Sequence, residues 1–374
     1  MRILVISNMY PSHEAPTFGI FVKNQVKALS KQGNQVGVAA INNPKMGKKN
    51  VLKKYSAWLL GTARRLAFGG KAYDVVHAHY AFPSGLLARW FRRRYGTPYV
   101  VTCHGGDLNK MARKGAFFRK QTERILHDAA HVIVVGRDLE QQVIHDFNVP
   151  KDRVSVFSMG VDRAVFYPRP KEEIQKLLKL SQDKKHLLYV GNIIEEKGIG
   201  DLIEAAASLR ENVPEAVLHV VGQPKQEEYF EKLKQRIGEL NLTEHVNFHG
   251  PKSQTEVADW MSAADVFVLP SHTEGFGLVA VEAMACETPV VGTDTGGLTH
   301  LLADDAGAIA EPQNPASLAE KMQQVLEEES YKKQLVENGK QQAEANDAEQ
   351  ITAKVINIYQ EAQQRQGEKN EQKT

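Results

Sequence analysis

Ser271-His-Thr-Glu-Gly-Phe-Gly-Leu-Val-Ala-Val-Glu-Ala-Met284 is the stretch on which the reading of this chain turns. It follows Val266-Phe-Val-Leu-Pro270, an apolar, β-branched run of the length of a buried parallel strand, and leads into a small-residue helix beginning near Gly277. The join predicts a strand-loop-helix corner. Two acids flank it, Glu274 in the loop and Glu282 in the second helical turn, with Gly275-Phe276-Gly277 between them. Glycines there let a ligand approach the backbone, and free N–H groups at a helix start favour an anion such as a diphosphate. The apolar neighbours of Glu282 point its carboxylate inward, where it wants a hydroxyl-bearing partner. The plainer alternative is a solvated loop acid and a helix acid paired with a lysine.

Gly275-x-Gly277-x-x-Ala280 also matches a dinucleotide-binding pattern, with Asp294 at the offset of a ribose-binding acid. In that motif the first glycine follows the first strand of the fold almost directly. Here Ser271–Glu274 intervene and the motif lies late in the chain, so a nicotinamide-dependent dehydrogenase is disfavoured.

At 374 residues the length favours two domains. The chain is 42% hydrophobic and 25% charged, as soluble globular proteins are, and 7% aromatic, which suggests no platform for nucleic-acid bases. Two isolated cysteines, Cys103 and Cys286, make neither a disulfide framework nor a zinc site and point to a reducing compartment. With no run of 18 apolar residues and no signal-peptide pattern, a cytoplasmic protein is expected. The net charge of +2 conceals an asymmetry: residues 1–170 carry 27 Lys and Arg against 10 Asp and Glu, the remainder 20 against 35. Such a split suits two domains with different partners.

Strands are expected at 2–7, 35–41, 74–78, 99–102 and 131–135, alternating with helical stretches, and again at 187–191, 216–222, 246–248, 266–269 and 289–292. Ser155–Pro168 closes the first half, and Pro170–Lys185 reads as a charged crossing. The chain therefore reads as α/β, two doubly wound Rossmann-like domains facing across a cleft, divided as 1–168 and 169–345, with 346–374 a polar helix (348–363) and a disordered tail from Gly367. Ligands of such sheets lie beyond the carboxyl ends of strands. Gly19, His104-Gly-Gly-Asp107, Lys197-Gly198 and Glu274 all follow strands. Taken singly, His79 and His104 could be satisfied turn histidines and Lys197 a surface charge; their recurrence at strand ends favours a site.

These residues resemble the retaining glycosyltransferases of family 4, whose architecture is called GT-B, and the similarity covers nearly the whole chain. Its most specific part is Glu274-x7-Glu282 with the internal Gly-Phe-Gly. Supporting it are Lys197-Gly198, His104-Gly105-x-Asp107, Gly160-Val161-Asp162 and Ala264-Asp265-Val266. The resemblance implies that Glu282 binds the ribose of a nucleotide-diphosphate-sugar and that the backbone of Gly275, Phe276, Gly277 and Leu278 contacts its phosphates and sugar. Glu274 would hold a sugar hydroxyl, Lys197 would neutralise the diphosphate, and His104, with Asp107 on the acceptor side, would lie near the reacting carbon. Gly19 would allow close approach to the phosphates, and the last helix would cross back to the first domain. Two positions depart from the family pattern: Asn192 stands where an arginine usually follows Gly191, and Met159 where an asparagine usually precedes Gly-Val-Asp.

No Asp-x-Asp occurs, so no metal cofactor is expected. No second carboxylic acid is placed for a glycoside hydrolase. The resemblance implies front-face transfer with retention to a lipid-linked or cell-envelope glycan precursor, the alternatives being a small soluble acceptor, a nucleotide-sugar epimerase of related fold, or a binding module without turnover. Finally, residues 45–71 hold eight Lys and Arg, no acid, and Trp58-Leu59-Leu60. That is the composition of a basic amphipathic surface helix, which predicts peripheral docking on an anionic membrane at the inner face of the cytoplasmic membrane. Nucleic acid is not expected, because no recognised motif accompanies the charge.

Overall fold

The computed structural model describes residues 1–45 and 47–371, the side chains of 369–371 excepted. Two compact units result, one formed by Met1–Gly160 with Ala348–Thr374, the other by Val161–Asp347.

The first unit is built on six strands: β1 Arg2–Ser7, β2 Gln35–Ala40, β3 Val75–His79, β4 Tyr99–Cys103, β5 His131–Val134 and β6 Val154–Val156. They pair in parallel in the order β2-β1-β3-β4-β5-β6. The second unit repeats the plan with β7 Lys185–Val190, β8 Ala216–Val221, β9 Val246–Gly250, β10 Val266–Leu269, β11 Val290–Thr293 and β12 Ala308–Ala310. Their order is β12-β11-β10-β7-β8-β9, again parallel. Central strands such as β3, β4 and β10 are buried along their whole length, and β10, Val-Phe-Val-Leu, accordingly reads as a continuous apolar run rather than an alternating one. In both sheets the first strand of the unit lies inside, so the order reverses beside it: between β1 and β3, and between β7 and β10. Loops leaving two such neighbouring strands diverge to opposite faces and leave a crevice at their carboxyl ends.

Four sequence expectations need correction. The edge strands β6 and β12 have only three residues each, too short to carry a pattern. The first unit ends at Gly160 rather than 168, because Val161 and Phe166 already lie in the second core. The segment 170–185 is no bare crossing: Lys171–Leu177 is helical, and Lys171 Nζ lies 2.6 Å from Asp265 Oδ1, whose other oxygen accepts the His186 N–H at 2.7 Å. The last helix runs from Ala348 to Glu371, so 367–371 continue it, while residues 372–374 of the expected tail lie outside the described residues.

That last helix covers one face of the first sheet, burying Ile351, Val355, Ile358 and Tyr359 against Ile3, Val5, Val75 and Val100. The Tyr359 hydroxyl meets His77 Nδ1 at 2.6 Å, and His77 Nε2 meets Thr102 Oγ1 at 2.7 Å, all of them buried. Burial pushes His77 down to about 3, so this ring stays neutral. Tyr359→Phe leaves one buried ring nitrogen unpartnered and is expected to destabilise the first unit by about 1–3 kcal/mol, read as a lowered urea midpoint. An unchanged midpoint would show that the hydrogen bond contributes nothing to docking the helix.

Candidate functional site

The crevice between β7 and β10 is where the second unit assembles its chemistry. Gly198, in the loop after β7, has a left-handed backbone, φ +68, and a Cβ there would overlap the carbonyl oxygen of Pro270. Only glycine lets the two loops touch in this way. Across the seam His272 N–H donates to the Glu196 carbonyl at 3.0 Å, and His272 Nε2 lies 2.7 Å from Asp201 Oδ2. The approach brings Lys197 Nζ to 2.6 Å from Glu274 Oε2, although the two residues are 77 positions apart. Glu274 also accepts from Ser271 Oγ at 3.3 Å and, through Oε1, from the Gly275 N–H at 3.1 Å.

From its other side the Ser271–Gly277 loop is held by the turn after β11. Gly297 N–H donates to the Glu274 carbonyl at 3.0 Å, and a side chain at 297 would overlap the Gly275 carbonyl. The Thr293 and Thr295 hydroxyls donate to the Ser271 carbonyl at 2.6 and 3.1 Å. Clamped on both flanks, the loop enters the Leu278–Ala285 helix through Gly277 in a left-handed conformation, φ 92. Among the described residues the N–H groups of Phe276, Gly277 and Leu278 have no backbone partner, and the helix dipole adds positive potential there.

Glu282 lies one turn further along the same helical face as Leu278. Its carboxyl has no hydrogen-bond partner among the described residues, and burial pushes its pKa up to about 8. A half-buried acid without a donor is costly unless a ligand supplies one. Asn192, in the loop after β7, is exposed, and its carbonyl accepts from the Tyr189 hydroxyl at 2.9 Å. The next loop brings a lysine close to it, since Lys225 N–H donates to the Ile193 carbonyl at 3.2 Å. Asp294 is engaged by the Thr299 hydroxyl at 2.6 Å. The motif strand is the fourth of its unit, so the dinucleotide pattern lacks its required context.

The first unit presents a different arrangement. Gly19, with φ 71, caps the Ile20–Lys31 helix, and a Cβ there would come within 2.8 Å of the Met9 backbone, so the need for glycine is local. His104 follows β4 and packs its ring against Phe21 and Tyr80, centroids 4.8 and 4.7 Å away. Its Nε2 lies 3.1 Å from His79 Nδ1. Burial and the neighbouring His77 push His104 down to about 3, so it is a neutral ring able to hydrogen-bond but not to supply charge. Asp107 is buried and fully engaged with the backbone: Oδ1 accepts from the N–H groups of His104 and Gly105, both at 3.1 Å, and Oδ2 from Ala81 at 2.8 Å. It positions the His104 loop rather than meeting a ligand. Cys103 and Cys286 are buried thiols whose pKa burial raises, and they are inert.

The structure thus brings Lys197, Glu274, Gly275, Phe276, Gly277 and Leu278 into one crevice and ties Glu282 to it through the helix. Ser271, His272, Asp201, Thr293, Thr295 and Gly297 were missed in the sequence. Their one available signal was position: apart from Asp201, each stands at the end of a strand or within a few residues after one.

Two family models match the chain, one described as glycosyl transferases group 1 over residues 170–342 and one as glycosyltransferase family 4 over residues 19–165. The putative teichuronic acid biosynthesis glycosyltransferase TuaC of Bacillus subtilis is 30% identical over 90% of this chain and 92% of its own length. Among solved structures, sucrose-phosphate synthase of Thermosynechococcus elongatus shares the fold with a TM-score of 0.80 at 24% identity, covering 96% of this chain and 98% of that one. HepE of Anabaena, crystallised with UDP-glucose, does so with a TM-score of 0.78 at 20% identity, covering 96% and 100%. A Gly-Phe-Gly corner flanked by two acids, two parallel six-stranded sheets and matches along nearly the whole length lead to one assignment: the chain belongs to the family-4 glycosyltransferases of GT-B architecture.

Proposed function

We propose that the second unit binds a nucleotide-diphosphate-sugar and that the protein transfers its sugar, with retention and without a metal, to a hydroxyl of a glycan or lipid-linked envelope precursor. The observation that carries the donor reading is Glu282, a half-buried carboxyl without a partner, one turn inside a helix whose first N–H groups are free. Ribose hydroxyls would supply the missing donors, while the Phe276–Leu278 N–H groups face the diphosphate. The UDP-glucose complex of HepE and the teichuronic acid role in the name of TuaC support the donor class and the envelope setting.

In the proposed reaction the acceptor oxygen bonds to the anomeric carbon as the bond from that carbon to the phosphate oxygen breaks. The departing phosphate takes both the electron pair and the acceptor's proton. Lys197 and the helix N–H groups stabilise that developing charge, which is where fixed dipoles are most effective. Glu274 already holds Lys197 in place and offers its remaining acceptor capacity to a sugar hydroxyl. His104, in the first unit, is a neutral ring that can hydrogen-bond a hydroxyl but supplies no charge. With Asn192 in place of an arginine, the bidentate contact to phosphate is lost, and Lys197, with Lys225 on the neighbouring loop, carries the cationic share.

A peripheral membrane location is part of the proposal. No helix among the described residues is long and apolar enough to cross a membrane. The Lys48–Gly69 helix instead exposes Leu60 and Phe68, at 65% and 88%, on a face shared with Lys49, Lys53 and Arg64. Trp58 does not belong to that face: it is 6% exposed and its indole N–H donates to the Ala39 carbonyl at 2.8 Å, so it anchors the helix to the protein. Lys54 is likewise drawn in, donating to the carbonyls of Asn43 and Lys45.

Four outcomes are expected. Glu282→Ala weakens donor binding and Glu274→Ala lowers turnover, each by about 1–3 kcal/mol, in calorimetry and initial rates; unchanged values in both variants would remove the site assignment. Because the Glu282 pKa is raised on folding, the folded state binds the extra proton, so stability falls as pH rises from about 4.5 to about 8, and Glu282→Gln flattens that slope. Next, EDTA leaves most activity intact; loss restored by magnesium or manganese would contradict metal-free transfer. Lastly, cosedimentation with vesicles needs anionic lipid, declines with salt and weakens when Lys49, Lys53 and Arg64 become Glu, since each basic residue near the surface adds about 1 kcal/mol. A wild-type protein left in the supernatant at low salt would favour a soluble acceptor.

A further inference from the structure

At the amino-terminal edge of the first sheet, away from the loops that carry His104 and Gly19, three guanidinium groups line one cavity of about 70 Å³. Arg92 comes from the Leu86–Tyr95 helix, Arg153 from the turn before β6 and Arg365 from the last helix. Pro98 and Tyr99, where β4 begins, also line it. His104 lies beyond the other end of β4, which at five residues spans roughly 16 Å, so this cavity is separate from the acceptor-side loop.

No Asp or Glu is among the lining residues. Asp128 comes to 3.9 Å from Arg92, but its carboxylate is already held by Arg89, whose Nε donates to it at 2.7 Å. Arg365 has only Glu361, 3.6 Å away and one turn back on its own helix. Arg153 spends one nitrogen on the carbonyls of His127 and Ala129, at 3.1 and 3.4 Å. Arg92 and Arg365 thus make no hydrogen bond among the described residues, although both carry a planar fork of donors. Three like charges from three elements border one small space, and their combined potential favours an anion there. A positive potential there is felt nearby: His131 is held down to about 4, first by burial and then by Arg365.

We propose that this cavity binds a single phosphate group, as orthophosphate or as the phosphoryl end of a monoester. The cavity has room for a small tetrahedral anion among the three side chains. Guanidinium forks match phosphate oxygens in pairs, and three of them can engage one group from different sides. Because Arg365 rides on the helix that covers the sheet through Ile351, Val355 and Tyr359, the bound anion fastens the far end of that helix to Arg92 and Arg153. Phosphate thereby stabilises the first unit by binding its folded form.

The test uses the full chain, thermal melting and titration calorimetry at constant ionic strength set with sodium chloride. Orthophosphate and glycerol 3-phosphate are compared in separate arms. Wild type is expected to show a saturable rise in Tm with at least one of them, absent with chloride alone. Tighter binding of the monoester assigns the site to a phosphorylated metabolite or lipid headgroup, and tighter binding of orthophosphate assigns it to the free ion. Arg153→Gln and Arg365→Gln should weaken binding at least tenfold, whereas Lys184→Gln, at an exposed lysine of the second unit that takes no part in either site, should leave it unchanged. Arg365→Lys keeps the charge but not the fork and should also weaken binding, which guards against a glutamine variant that fails to fold. The proposal is overturned if neither anion raises Tm, if chloride gives the same rise, or if the rise survives undiminished in the Arg365 variants.

Discussion

Backbone-to-backbone contact between loops is the constraint on which the second unit depends. Residues 198 and 297 have no side chain, so the loop after β10 can be gripped between the loops after β7 and β11, against the Pro270 carbonyl on one side and the Gly275 carbonyl on the other. Any Cβ at either position would drive the loops apart. With them would go the Lys197–Glu274 pair and the fixed direction of the N–H groups at Phe276–Leu278. Polar groups held this rigidly before a ligand arrives lose little on binding.

The two units handle their polar groups in opposite ways. In the first, the buried polar groups around His104 are mostly turned inward: Asp107 is saturated by three backbone donors, and His77 links Thr102 to Tyr359. The histidines are neutral because charging them in a dry interior is unfavourable. In the second, hydrogen-bonding capacity is left open: the Glu282 carboxyl and the helix N–H groups have no partner of their own. A satisfied cluster sets the shape of a wall, whereas an open one creates demand for a ligand. The first unit also relies on the end of the chain for one face of its core, so its stability is linked to the helix that carries Tyr359 and Arg365.

The sequence by itself determined a good deal. Apolar runs such as Val266–Leu269 and Arg2–Ser7 announced buried parallel strands, since a strand covered on both faces has no polar side to hide the pattern. The glycines and acids after 270 announced the strand-loop-helix corner, because those residue types are chosen for backbone geometry that local sequence records. Three-residue edge strands left no such record, and neither did the unit boundary, where Val161 and Phe166 join the second core through contacts made far along the chain.

What only tertiary structure decided was pairing. That Glu274 would hold Lys197, that Ala81 would reach Asp107, that Trp58 would face inward while Phe68 faces out, and that Arg92, Arg153 and Arg365 would share one cavity all depend on groups distant in the chain being brought together. A residue's type states what it can bond with. Which partner it meets is set by strand order and close packing, which act across the sequence and leave no local trace in it.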